Sequence, residues 1–207
     1  MRIKYPGTPH LSWSEGVSKD DIILTEDIFS GREVVITEKL DGESCTMYSD
    51  YIHARSINSS NHPSRDYVKG LWGEIKKDIP EGFRICGENL FAKHSIHYTN
   101  LSSYFLVFSI WDKEICLSWE ETKVWCSLLS LRTVPVLYTG IFPSARPSIN
   151  PLTQEGYVVR FSGRFSLQDF SKNVGKYVRK NHVQTDEHWL NRPIEKNLLA
   201  DDVNFCG

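Results

Sequence analysis

The stretch VVITEKLDGESCTMY, from Val34 to Tyr48, constrains the fold of this chain more than any other. Two runs rich in β-branched residues flank Lys39-Leu40-Asp41-Gly42. Runs of this length and composition read as strands, and Asp-Gly is a strong turn dipeptide. The stretch therefore reads as two strands joined by a tight connection, with a lysine at its entrance. That lysine has two readings. It is either a charge on an ordinary turn or a nucleophile held over a site, and the tetrapeptide alone favours the turn.

The same pattern recurs along the chain. Residues 33–38, 44–49, 51–55, 84–88 and 104–111 read as short strands, as do EGYVVRF and VGKYV nearer the C-terminus. Two segments have helical spacing instead. SRDYVKGLWGEIKKDIP repeats Val68, Leu71, Trp72, Ile75 and Ile79 on one face, with Ser64 as the expected N-cap and Pro80 after its end. SWEETKVWCSLLS opens with Ser118 and Glu121 spaced as a capping box, and Val124, Trp125, Leu128 and Leu129 form its apolar stripe. Residues 139–150, TGIFPSARPSIN, read as a Pro/Ser loop. Short strands with helices between them indicate an α+β fold built on antiparallel sheet, not a regular βαβ series. With 207 residues, no internal repeat and no long linker, one compact domain over residues 1–207 is expected.

Composition excludes several classes. No apolar run approaches the length needed to span a membrane, and MRIKYPGTPH lacks the apolar core of a secretory signal. The five cysteines are an odd number with no C-x-x-C pair, which points to reduced thiols in a cytoplasmic protein and away from a disulfide framework or a zinc site. A net charge of −2 is unlike that of a general nucleic-acid binder. Locally, however, Arg164, Lys172, Lys176, Arg179 and Lys180 face only Asp169 between Gly163 and His182. That run is either a basic patch or a solvated face.

The charged and aromatic residues beside these strands form an ordered series. After Lys39 come Arg55 in HARS, Glu88 in RICGENLFAKHSIHY, Phe108 in YFLVFSIWD, Glu155 in QEGYVVRF and Lys176 in VGKYVRK. Read singly, each has a plain structural explanation: a surface strand charge for Arg55, a strand-end residue for Glu88, core for Phe108. Arginine suits phosphate through its planar fork, and an aromatic face suits a base by stacking.

Taken in order, the series resembles the covalent nucleotidyltransferase superfamily of ligases and mRNA capping enzymes. Within it the chain is similar to ATP-dependent RNA ligases of the phage RNA-ligase-2 kind, and more closely to a bacterial stand-alone RNA ligase family. TPHLSWSEG, HPSRDYVK, GENLFAKHSI, SYFLVFSIWD and KYVRKNHVQTDEHW carry that resemblance, which covers nearly all of the chain. It implies a nucleotidyltransferase (adenylation) domain in which Lys39 attacks the α-phosphorus of ATP to give lysyl-AMP. The AMP then passes to an RNA 5′-phosphate, and a 3′-hydroxyl seals the ends. By the same resemblance Glu88 binds the ribose, Phe108 stacks on adenine, and Arg55 contacts phosphate. Glu38 lies in the nucleotide pocket, Glu155 holds Mg²⁺ or Mn²⁺ (through water), and Lys176 contacts the α-phosphate and helps Lys39 lose its proton.

Relatives often carry Lys-x-Lys in the last motif. Here Val178 stands two residues after Lys176, so Lys172, Arg179 and Lys180 compete for the second cation, with Arg179 favoured. Asp41 either orients Lys39 or makes the turn, and Gly42 is expected to supply backbone freedom near the phosphate. Arg65 and Lys69 lie one helical turn apart and either bind RNA phosphates or are solvated. His182, Asp186 and His188 are either a metal cluster or, more simply, a capped turn. The 27 residues after Lys180 are too few for an OB-fold barrel, which disfavours a DNA ligase or a GTP-using capping enzyme and makes an accessory protein a candidate partner. A catalytically inactive nucleotide- or RNA-binding module is the reading from a different class.

Overall fold

The computed structural model describes residues 2–24, 27–180 and 193–200. Its elements, in chain order, are β1 (Glu33–Lys39), β2 (Glu43–Met47), β3 (Ile52–Ala54), α1 (Asp66–Ile75), β4 (Phe83–Asn89), β5 (Phe105–Asp112), β6 (Ile115–Cys116), α2 (Trp119–Leu128), β7 (Arg132–Thr133), β8 (Val136–Ile141), β9 (Gly156–Phe161), β10 (Phe165–Ser166), α3 (Phe170–Asn173) and β11 (Val174–Val178). They form two sheets. One runs β11-β9-β1-β8, antiparallel throughout. The other runs β10-β6-β5-β4-β2-β3, with β7 parallel to β5 on its flank.

Period-2 alternation sorts each strand between two environments. In the first sheet, Val34, Ile36, Tyr157 and Val159 pack outward against Leu11 and Phe29 of the N-terminal segment. Their neighbours point the other way. Val35 of β1 and Leu106 of β5 share one cluster, and Val174 of β11 joins Cys86 and Trp111 in another. The two sheets therefore pack face to face. The outer side of the second sheet is closed by the helices, with Val68, Ile75 and Cys126 against Met47, Ile85 and Val107. The layers are N-terminal segment, sheet, sheet, helices.

Most expected elements are present within a residue or two of their bounds. The segment read as a loop from residue 139 is the main departure at strand level, because residues 139–141 belong to β8, paired with β1. Pro135 before it and Gly140 within it, at φ +142°, disguise an edge strand as a loop. The capping box of α2 is made as expected, with both reciprocal bonds between Ser118 and Glu121. Of its expected stripe, Trp125 and Leu129 pack on the core and the other two residues do not. Val124 and Leu128 are exposed, at 58% and 69%, while Trp119, Thr122 and Cys126 face the sheet. Two adjacent apolar columns satisfied the helical period, and only packing decides which one turns inward. At α1 the expected Ser64 cap gives way to a 3₁₀ turn, Pro63–Arg65, whose cap is the ring of His62.

Candidate active site

A cleft of about 780 Å³ opens between the two sheets. Lys39, Glu38, Arg55, Glu88, Phe108 and Lys176 all line it. The inward-facing series Val35, Thr37, Lys39 delivers the lysine there, because β1 buries Val35 and ends with Lys39 at the cleft. β9 pairs with β1 on one side and β11 on the other. Lys39 lies opposite Gly156 and Lys176 opposite Val158. Residues from three distant parts of the sequence are thus set side by side by one strand.

Lys39 Nζ donates to Glu155 Oε2 at 2.7 Å, with the glutamate side chain 5% exposed. Burial pulls the Lys39 pKa down, but the charges of Glu155, Glu88 and Asp41 outweigh it and leave the ammonium held above its usual range. Lys176 shifts the other way. Burial comes first and repulsion from Lys39 second, and Arg55 adds to both against the pull of Asp21 and Glu155. One ammonium cannot neutralise two carboxylates equally. Glu155 takes the direct contact, while burial and the nearby charges of Glu155 and Asp41 push Glu88 up to about 8 despite the attraction of Lys39. Glu38 is raised by burial, partly offset by a hydrogen bond from Gln154.

The connection after Lys39 is built for close approach. A Cβ on Gly42 would lie 2.6 Å from Asn89 O and 3.0 Å from Glu88 Cγ. Gly42 does not have positive φ, so the position requires glycine for space and not for the conformational freedom expected from the sequence. Asp41 Oδ2 accepts from the backbone of Ser95 and Ile96 at 2.7 and 2.9 Å, tying the segment after β4 beneath the site. Across the cleft, the β4–β5 ladder shifts register at Cys86/Gly87, where Cys86 faces Ser109 and Gly87 faces Val107. Phe108 is the extra residue of this bulge, so it and Ser109 both reach the cleft. Bulges re-aim side chains in this way next to sites. The Phe108 ring is met edge-on by Tyr5 at 4.9 Å.

The other candidates fall away from the cleft or are committed elsewhere. Arg179 follows β11, and its Nε donates to Gln154 O at 3.0 Å. It is not among the residues lining the cleft. Lys172 pairs with Asp169 on the surface. Arg65 lines the cleft but is bound to Glu43, Nε to Oε2 at 2.7 Å, with both side chains nearly buried. Lys69 bonds to Asn61. His182, Asp186 and His188 lie outside the described residues. Sequence reasoning missed the N-terminal contribution, in which Tyr5, Asp20 and Asp21 also line the cleft. The polar TPHLSWSEG stretch was visible, but nothing in its period tied it to a strand more than 150 residues away.

Two sheets, antiparallel except for β7, enclosing a lysine-bearing cleft make a nucleotidyltransferase-type domain. Residues 32–178 match the model of the family described as RNA ligase, and the chain belongs to that family. In fold it is similar to an archaeal ATP-dependent RNA ligase, with a TM-score of 0.57 and 15% identity, covering 85% of this chain and 48% of that one. It is likewise similar to the Naegleria gruberi RNA ligase with PPi, with a TM-score of 0.54 and 19% identity, covering 89% and 63%. The chain spans less than two thirds of the length of these solved proteins. No curated protein matches it.

Proposed function

We propose that this chain is the catalytic domain of an ATP-dependent RNA ligase that joins 5′-phosphate and 3′-hydroxyl RNA ends through lysyl-AMP on Lys39. The observation that carries the reading is a strand-end lysine and a second lysine across one strand, both lining one cleft, with the first held by a buried carboxylate 2.7 Å away.

A lysine amine attacks only after losing its proton. Glu155 Oε2 is the nearest acceptor for the proton that Lys39 sheds. The Lys39 nitrogen then bonds the α-phosphorus as the bond to pyrophosphate breaks. Lys176, its pKa displaced downward by burial and by Lys39, contacts the α-phosphate. Glu88 holds the ribose and Phe108 the adenine, Arg55 meets phosphate at the open edge, and Glu38 borders the pocket. Arg179 supports the strand turn that bears Glu155. Transfer of this kind is mostly positioning and charge neutralisation.

A divalent ion, Mg²⁺ or Mn²⁺, fits the donor chemistry, since the cleft offers carboxylate oxygens and Mg²⁺ takes one or two of these with phosphates and waters. Among the described residues there is no cluster of three or more acidic, histidine or cysteine side chains to cage it. Glu155 would hold the ion, through water, and the ion would supply charge neutralisation for the triphosphate. RNA is the polynucleotide partner, in a cytoplasmic setting. The relatives with longer chains make an accessory protein or further domain a candidate for RNA capture. Among the described residues no helix is long and apolar enough to cross a membrane.

The test is intact mass after incubation with ATP and Mg²⁺, and separately with GTP. A single AMP adduct, absent in Lys39→Ala, is expected. A GMP adduct moves the protein to capping chemistry, an adduct on Lys39→Ala refutes the nucleophile, and no adduct from folded wild type favours a binding module.

A further inference from the structure

Residues 9–21 precede the segment that matches the family, yet they complete the sheet that carries Lys176. β11 is the terminal strand of that sheet. Its outer edge is taken up by the N-terminal segment. Lys176 N donates to Pro9 O at 2.9 Å, and Leu11 N donates to Lys176 O at 2.8 Å. Two residues on, Gly16 N donates to Val178 O at 2.8 Å, and Val178 N donates to Ser14 Oγ at 2.9 Å. The peptide groups of Lys176 and Val178 are therefore fixed from outside the matched region.

The same segment reaches the side chain. Asp21 Oδ2 accepts from Ser18 N at 2.9 Å and from Ser18 Oγ at 2.8 Å, and lies 3.3 Å from His10 Nε2. His10 is 2% exposed, and its Nδ1 is 2.8 Å from Ser14 Oγ. With Oδ2 so occupied, Oδ1 is the oxygen turned to Lys176, 4.0 Å from Nζ. Lys176 needs such a partner. Lys39 and Arg55 both repel it, and an ammonium on a flexible four-carbon stem swings away from like charge unless it is held.

We propose that Asp21 is a positioning residue for Lys176, a carboxylate braced by Ser18 and His10 that keeps the ammonium over the cleft. The proposal rests on the reading of Lys176 as the α-phosphate contact. The test is single-turnover formation of the AMP adduct at graded ATP, followed for hours so that slow variants are measured. Asp21→Asn is expected to lower the rate at saturating ATP about tenfold, with less than about a threefold change in half-saturating ATP, as for an interaction used mainly in the transition state. Asp21→Glu regains most of the rate. In a Lys176→Ala background, Asp21→Asn costs nothing further, because residues acting through one another are not additive. His10→Gln, which leaves the backbone pairing intact, gives a smaller loss that also vanishes in that background and serves if Asp21→Asn folds poorly. A wild-type rate in Asp21→Asn and His10→Gln, or losses that multiply with that of Lys176→Ala, overturns the proposal and leaves the ligase reading standing. Absence of any adduct in the wild type overturns both.

Discussion

Glu88 offers a test of the cleft's electrostatics that needs no substrate. Its carboxyl is raised from 4.5 to about 8, with burial the largest cause and Lys39 opposing. A carboxyl whose pKa is higher folded than unfolded binds its proton more tightly in the folded state. Below about 4.5 it is protonated in both states and costs nothing. As pH rises from there to about 8 the unfolded chain releases the proton and the folded one keeps it, so stability falls across that window. At about 1.4 kcal/mol per pH unit the full displacement is worth at most about 5 kcal/mol. Coupling to Lys39 and water in the open cleft reduce that to about 2–3 kcal/mol. Glu88→Gln keeps the shape of the neutral acid and removes the titration. Urea unfolding of both proteins at pH 4.5, 7 and 9 measures the difference, and comparing the two cancels the titrating groups that are not coupled to Glu88. The variant should be near wild type at the lowest pH and more stable by about 2–3 kcal/mol at the highest, with unchanged m-values. A difference that stays flat across the series would mean that Glu88 is ionised in the folded protein, and the account of one ammonium shared by two carboxylates would fail.

Three further outcomes follow from the geometry. Arg65→Ala leaves Glu43 nearly buried without its bidentate partner and should cost about 3 kcal/mol in chemical denaturation; a loss below about 0.5 kcal/mol would class the pair with weak surface bridges. Gly156→Ala would put a Cβ 1.9 Å from Tyr177 O, so β9 and β11 must part. A loss of about 3 kcal/mol or more in thermal melting is expected, together with loss of AMP attachment, and normal melting would show that the strands have room to give. Chelation by EDTA should abolish AMP attachment with the circular dichroism unchanged, and Mg²⁺ or Mn²⁺ should restore it. Labelling that persists in EDTA contradicts a metal requirement.

How much of this was legible beforehand differs by element. Lys39, Glu88, Phe108 and Lys176 were readable as a set because each sits in or at the end of a short strand with clear β composition, in an order that resembles one family. Arg179 was favoured as a second cation because sequence order places it beside Lys176, but the end of β11 at Val178 turns it toward Gln154 instead. The exposed Val124 and Leu128 show the limit of periodicity, which fixes the spacing of a stripe and not the face the sheet selects. Asp21 and His10 were not legible, since their partner, Lys176, is far away in sequence and the pairing that joins them runs through backbone groups common to every residue.

The use of β9 as the shared neighbour of β1 and β11 has a kinetic consequence. Lys39, Glu155 and Lys176 meet only after two long-range ladders have zipped in the correct register, and such non-local pairings close late and slowly. No fragment, collapsed globule or slipped register brings the three together. A reaction that needs all of them therefore acts as a clock for native sheet assembly. Pulse-labelling with nucleotide during refolding would count molecules at the moment the sheet is complete, by a signal that partly folded chains do not give.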